Sequence, residues 1–142
     1  MNIDIPNAQM PFPGILTGGQ PSGQHLEQAR DAGFKLVINT RGIGEPGTDI
    51  EPSYVEELGM SYLHLPVSGP ADITVETAKA LTDALESAAG PVMVHCASGN
   101  RVGALFALKA FHIEGLSRED ALTVGRSAGL TGMEPFVSSL LS

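Results

Sequence analysis

A single cysteine among 142 residues excludes an internal disulfide and leaves a free thiol, which fits a reducing compartment. Bases are also scarce: eight Lys and Arg stand against sixteen Asp and Glu, for a formal charge of −8. Such a field repels polyanions and argues against nucleic acid or anionic membrane as a main partner. No apolar run approaches the roughly 20 residues that a membrane span needs. The start, Met1-Asn2-Ile3-Asp4-Ile5-Pro6, has neither a basic n-region nor an apolar h-region, so no secretory leader is read and a cytoplasmic location is expected. A periplasmic protein already stripped of its leader would read the same. Repeats, linkers and low-complexity segments are missing. His25 and His112 are too scattered to form a metal site with the cysteine, and neither metal nor cofactor is expected.

What is there reads as an ordinary soluble domain, 42% hydrophobic and 17% charged. The length suits one domain with a real core. Residues 1–13 carry three prolines and read as an extended N-terminal arm, with 14–142 as the single domain. Ile15 to Gly19 reads as a first strand. Ser22 can cap a helix carrying Leu26, Ala29 and Ala32, stopped by Gly33. Phe34 to Thr40 is a strand covered on both faces, and 41–52 is loop. A short helix over 53–58, a strand over 60–66 and a loop to Asp72 follow. Thr74 to Ala89 is amphipathic, with Val75, Ala78, Leu81, Leu85 and Ala88 on one face. A strand then leads to Cys96, and the helix after Arg101 is apolar all round, hence buried. Ser117 opens a helix to Ser127, and 131–141 closes the chain. Alternating strands and helices predict an α/β fold with a mostly parallel central sheet of four to five strands flanked by helices. Ligands of such sheets bind beyond the strands' carboxyl ends, where Arg41, the 66–72 loop and Cys96 should gather.

The chemistry concentrates in His95-Cys96-Ala97-Ser98-Gly99-Asn100-Arg101-Val102. A strand runs into a short loop and then a helix, so backbone N–H groups without intrahelical partners face one point. Gly99 lets the loop take φ > 0 and an anion approach closely. Cys96 at the loop's mouth would be favoured as thiolate. Arg101 adds a planar fork of donors matched to phosphate or sulfate. The amides of Ala97, Ser98, Gly99, Asn100, Arg101 and Val102 are the candidate phosphate cradle. The plainer alternatives are a small buried hydrophobe for Cys96 and a surface ion pair for Arg101. His64, on a strand, reads as a satisfied core histidine.

The His95-Cys96 pair, the glycine three residues on and the following arginine resemble the signature loop of the cysteine-dependent tyrosine and dual-specificity phosphatases. The chain is more closely similar to the bacterial beta-lactamase-hydrolase-like, phosphatase-like family. That similarity extends over Gly19-Gln20-Pro21, Ala32 to Lys35, Val37 to Arg41 with Glu45, and Leu65-Pro66-Val67, roughly residues 14–112. It implies a phosphatase-like fold and a phosphomonoester substrate, carried by a small molecule or a phosphoprotein. It also implies nucleophilic attack by Cys96, oxygens held by Arg101 and the loop amides, and hydrolysis of a phosphocysteine. The family's general acid falls on Asp72, whose alternative role is to cap the Thr74 helix. His95 is expected to orient the loop. Arg41 lines the mouth or pairs structurally, and Glu45 is read as structural. Two features depart from the common phosphatase pattern. Four residues, not five, separate Cys96 from Arg101, and Val102 stands where Ser or Thr is usual. Breakdown of a phosphocysteine should then be slow. The short loop also resembles that of rhodanese-like sulfurtransferases and persulfide carriers, and a non-catalytic phosphate-binding module is a third reading.

Overall fold

Short apolar runs bounded by glycine or proline give strands of only four residues, and the helices between them supply the bulk of the domain. The computed structural model describes residues 3–142. The chain passes through β1 (Gln9–Phe12), β2 (Ile15–Gly18), α1 (Gly23–Asp31), β3 (Leu36–Asn39) and α2 (Glu51–Glu57). It continues through β4 (Ser61–His64), α3 (Val75–Ser87), β5 (Val92–His95), α4 (Asn100–Leu108), α5 (Arg118–Ser127) and α6 (Glu134–Leu140). A 3₁₀ turn at Pro70–Asp72 precedes α3, and a π-helical turn at Lys109–Ile113 prolongs α4.

The five strands lie in the order β1-β2-β5-β3-β4, all neighbours parallel except β1 with β2. β5 is therefore central. Its side chains alternate: Val92 and Val94 join the cluster formed with α3, α4, α5 and α6, whereas Met93 joins that of α1, α2 and the N-terminal segment. Two covered faces make an α/β/α sandwich, as the nearly continuous apolar strands require.

Caps set the helix boundaries. Ser22 accepts the His25 amide at 3.1 Å, Gly33 leaves α1 at φ +89°, Thr74 accepts the Thr77 amide at 3.2 Å and Ser117 accepts that of Asp120 at 3.1 Å. Three boundaries differ from the sequence expectation. The N-terminal arm holds the edge strand β1 and inserts Ile3 and Ile5 into the core, while residues 1–2 lie outside the described part. α2 begins at Glu51, because Pro52 in a first turn forfeits no helical hydrogen bond. α6 begins only at Glu134.

Candidate active site

His95 ends the central strand, level with Gly18 on β2 and Asn39 on β3, so the next residue emerges at the middle of the sheet's carboxyl edge. Cys96 donates its amide to the Gly18 carbonyl at 3.1 Å. Its side chain is fully buried, not at the loop's mouth as expected: the loop that it begins turns back over it. Gly99, at φ +97°, makes that turn and serves as N-cap of α4, a conformation that costs a side-chain-bearing residue strain. The reversal brings the Gly99 N–H onto Cys96 Sγ at 3.0 Å. Gly19 lies so close against the loop that a Cβ there would meet the Ala97 carbonyl at 2.5 Å. Ala97 and Ser98 are exposed. Among the described residues, the amides of Ala97, Ser98, Asn100, Arg101 and Val102 donate to no backbone acceptor. Asn100 accepts the Thr131 and Met133 amides through Oδ1, and Val102 is buried in the core.

Arg101 is clamped. Its Nη1 donates to Glu45 Oε2 at 2.7 Å and to the Val67 carbonyl at 2.8 Å, and Nη2 donates to Glu45 Oε1 at 3.0 Å. Those hydrogen bonds, with the nearby Arg41 charge and the Gly42 amide, hold the Glu45 carboxyl at about 2 against the opposing effect of burial. They also raise the guanidinium's pKa, with Cys96 adding to the effect. Glu45 is structural in the sense that the sequence suggested, but what it organises is the fork of the site. Its contact with Arg41 is looser, 3.4 Å from Oε1 to an Nε that has no aligned partner.

Beneath the loop runs a buried polar chain. His95 Nε2 meets Glu51 Oε2 at 2.7 Å, and Glu51 Oε1 accepts Gln20 Nε2 at 2.8 Å. Gln20 Oε1 in turn accepts Arg41 Nη1. Burial alone would raise the Glu51 carboxyl, but the hydrogen bonds of His95 and Gln20 and the Arg41 charge outweigh it and keep it below the ordinary value. Arg41 is further fixed through its backbone, whose amide donates to Asn39 Oδ1 at 2.9 Å and whose carbonyl meets His64 Nε2 at 2.7 Å. Arg41 thus serves the scaffold beside Arg101, and His64 is satisfied. Sequence reasoning missed Glu51 altogether. An acid in the first turn of a helix is ordinarily solvated, and nothing local marks it as the partner of a histidine 44 residues away.

Asp72 does not cap α3, because Thr74 does. Its Oδ2 accepts the Ser68 amide at 2.9 Å, within the segment whose Val67 carbonyl receives Arg101. The 66–72 loop and the Cys96 loop therefore meet at Arg101, the common edge expected from the strand order. A groove of about 470 Å³, not foreseen in the sequence, opens between the starts of α1 and α2 and is lined by Gln20, Leu26, Ile50, Glu51, Tyr54 and Glu57.

Comparison with known proteins gives this geometry a family. The chain is 35% identical over 119 residues to the beta-lactamase hydrolase-like protein of Agrobacterium fabrum and 31% identical to that of Xylella fastidiosa. Each match covers 81% of this chain and 27% of the relative, so the chain spans about a quarter of the length of these relatives. In three dimensions it resembles a proposed phosphatase (DUF442) of Shewanella putrefaciens CN-32, with a TM-score of 0.74 and 22% identity over 98% of this chain and 93% of that one. A proposed phosphatase of Neisseria meningitidis Z2491 gives 0.76 and 22% over 93% and 94%. TpbA of P. aeruginosa, in complex with phosphotyrosine, gives 0.69 and 18% over 98% and 84%. At these identities the structures establish the α/β phosphatase fold. The family model for the phosphatase-like domain of beta-lactamase hydrolase-like protein matches residues 17–112, and the chain belongs to that family.

Proposed function

We propose that this domain is a cysteine-dependent phosphatase that hydrolyses a phosphomonoester through a phosphocysteine. The observation that carries the reading is the arrangement around one sulfur. Cys96 Sγ receives the Gly99 amide, Arg101 is held close by, and five further loop amides are without backbone acceptors. Those donors suit the equatorial oxygens of a transferring phosphoryl group, whose charge such preorganised N–H groups stabilise. The Cys96 thiolate attacks phosphorus, the P–O ester bond breaks, and its electron pair stays on the leaving oxygen. Asp72 supplies the proton to that oxygen: Ser68 holds Oδ2, which leaves Oδ1 to carry it. Water then attacks phosphorus, the P–S bond breaks, and phosphate leaves with the thiolate restored. Because Cys96 has no exposed surface before substrate binds, binding includes a local opening of the loop over the sulfur. His95 and Glu51 brace the loop from below, and Arg41 steadies the Glu45 side of the fork. A phosphate-bearing small molecule or phosphoprotein is the substrate in this reading, in line with the phosphotyrosine held by TpbA.

Val102 offers no hydroxyl to the departing thiolate, so the second step is slow. With an aryl phosphate, wild type should release a burst of phenol equal to the enzyme, followed by a slow steady rate. Cys96→Ser should abolish both phases. Full turnover by that variant overturns the reading. The four-residue spacing between Cys96 and Arg101 also suits sulfane-sulfur transfer. A persulfide mass increment on Cys96 after thiosulfate, with no phosphate release from any ester, would favour that alternative. Phosphate affinity surviving Cys96→Ser, with no wild-type turnover, would instead mark a binding module.

A further inference from the structure

The N-terminal segment reaches the signature loop through one side chain. Asn7 sits at φ +54°, the one left-handed non-glycine among the described residues, and its Nδ2 donates to the Ser98 carbonyl at 2.8 Å. The segment is anchored there. Ile3 and Ile5 are buried, and the Pro6 carbonyl accepts the Gly19 amide at 2.7 Å. A Cβ on Gly18 would strike both Ile5 and the Pro6 carbonyl, so β2 presents bare backbone to the arm on one side and to the Cys96 loop on the other. The Ser98–Gly99 peptide is trans, so its C=O and N–H point in opposite directions across one plane. Asn7 holds the oxygen end, and Cys96 Sγ receives the hydrogen end at 3.0 Å.

We propose that Asn7 is a positioning residue for the nucleophile. Acting through this single peptide unit, it aims and polarises the N–H that Cys96 receives. Hydrogen bonds in series strengthen one another, and a peptide held at its oxygen is biased against rotating its N–H away from the sulfur. The inference deepens the phosphatase reading and rests on it for function, though the arrangement itself concerns only the sulfur. The other titratable or charged groups near Cys96 lie elsewhere. Arg101 comes from α4, His95 precedes the cysteine with Glu51 of α2 behind it, and Glu45 and Arg41 stand beyond Arg101. The arm's own charge, Asp4, is exposed.

Because Cys96 is the sole cysteine, its ionisation can be followed by thiolate ultraviolet absorbance against pH in the intact protein, without turnover or access to a reagent. Asn7→Gly keeps the left-handed backbone and deletes only the donor. Its thiolate titration should move up by about half a pH unit with the thermal midpoint nearly unchanged. Asn7→Asp removes the donor and adds a negative charge, and should move it further. Ile5→Val, which loosens the arm and leaves the amide in place, should lower the thermal midpoint and leave the titration where it was. Superimposable titrations of wild type and Asn7→Gly overturn the proposal, as does an equal shift in Ile5→Val, which would make the arm's packing the cause. A wild type without phosphatase activity sinks the phosphatase reading alone, because the titrations still decide the role of Asn7.

Discussion

Glu45 determines where the Arg101 guanidinium points. It occupies Nη1 and Nη2 from one side, so in the proposed mechanism Nε and the remaining Nη2 hydrogen are the donors that meet a phosphoryl oxygen. Glu45→Gln should therefore lower kcat/KM on an aryl phosphate by about tenfold, the scale of one charge-assisted hydrogen bond, while Arg101→Ala costs more. The same carboxylate makes a prediction in acid. Its pKa falls from 4.5 in the unfolded chain to about 2 in the fold, so the stability it contributes is complete above pH 4.5 and is lost as pH drops towards 2. Urea titrations of wild type and Glu45→Gln should show a stability gap that is constant above pH 4.5 and narrows below it. A gap that widens on acidification would contradict this assignment. At this scale the sequence was partly legible: Cys96, Gly99 and Arg101 announce themselves by their order after a strand. Glu51 and Asn7 do not, because each acts on a partner far along the chain.

Among the elements, α3 separates two roles that its preceding loop could have shared. Thr74 is the cap, so Thr74→Ala should cost about 1 kcal/mol of stability without changing leaving-group dependence. Asp72→Asn keeps an acceptor for the Ser68 amide and should alter stability by less than about 0.5 kcal/mol. In the proposed mechanism its effect belongs to the rate. Hydrolysis of alkyl phosphates, whose leaving oxygen needs a proton, should fall much more than that of p-nitrophenyl phosphate. An equal loss on both substrates removes Asp72 from proton transfer. Helix ends were readable where their signals lie within three residues, as at Ser22, Gly33 and Ser117. The edge strand β1 was not. Pro11 lies within it and its pairing with β2 shifts register, so no alternation survives in the sequence.

For the molecule as a whole, the site depends on how α4 is seated, since that helix carries both the loop and Arg101. It lies against the turn after α5 so closely that a Cβ on Gly103 would fall 2.1 Å from the Leu130 backbone nitrogen. Gly103→Ala should destabilise the domain by about 2–4 kcal/mol, read by urea or thermal unfolding, and loosen the nest along with it. By itself the sequence determined the alternation of strand and helix, the buried character of α4 and the thiol-loop-guanidinium order, because each is written in near neighbours and in periods of two or 3.6. Only the tertiary structure decided that Cys96 lies under its loop, that Glu45 grips Arg101, and that Gln20, Glu51 and His95 join below. Those contacts follow from the spatial order β2-β5-β3, which places strand ends distant in the chain side by side, and no local pattern records which strand becomes whose neighbour.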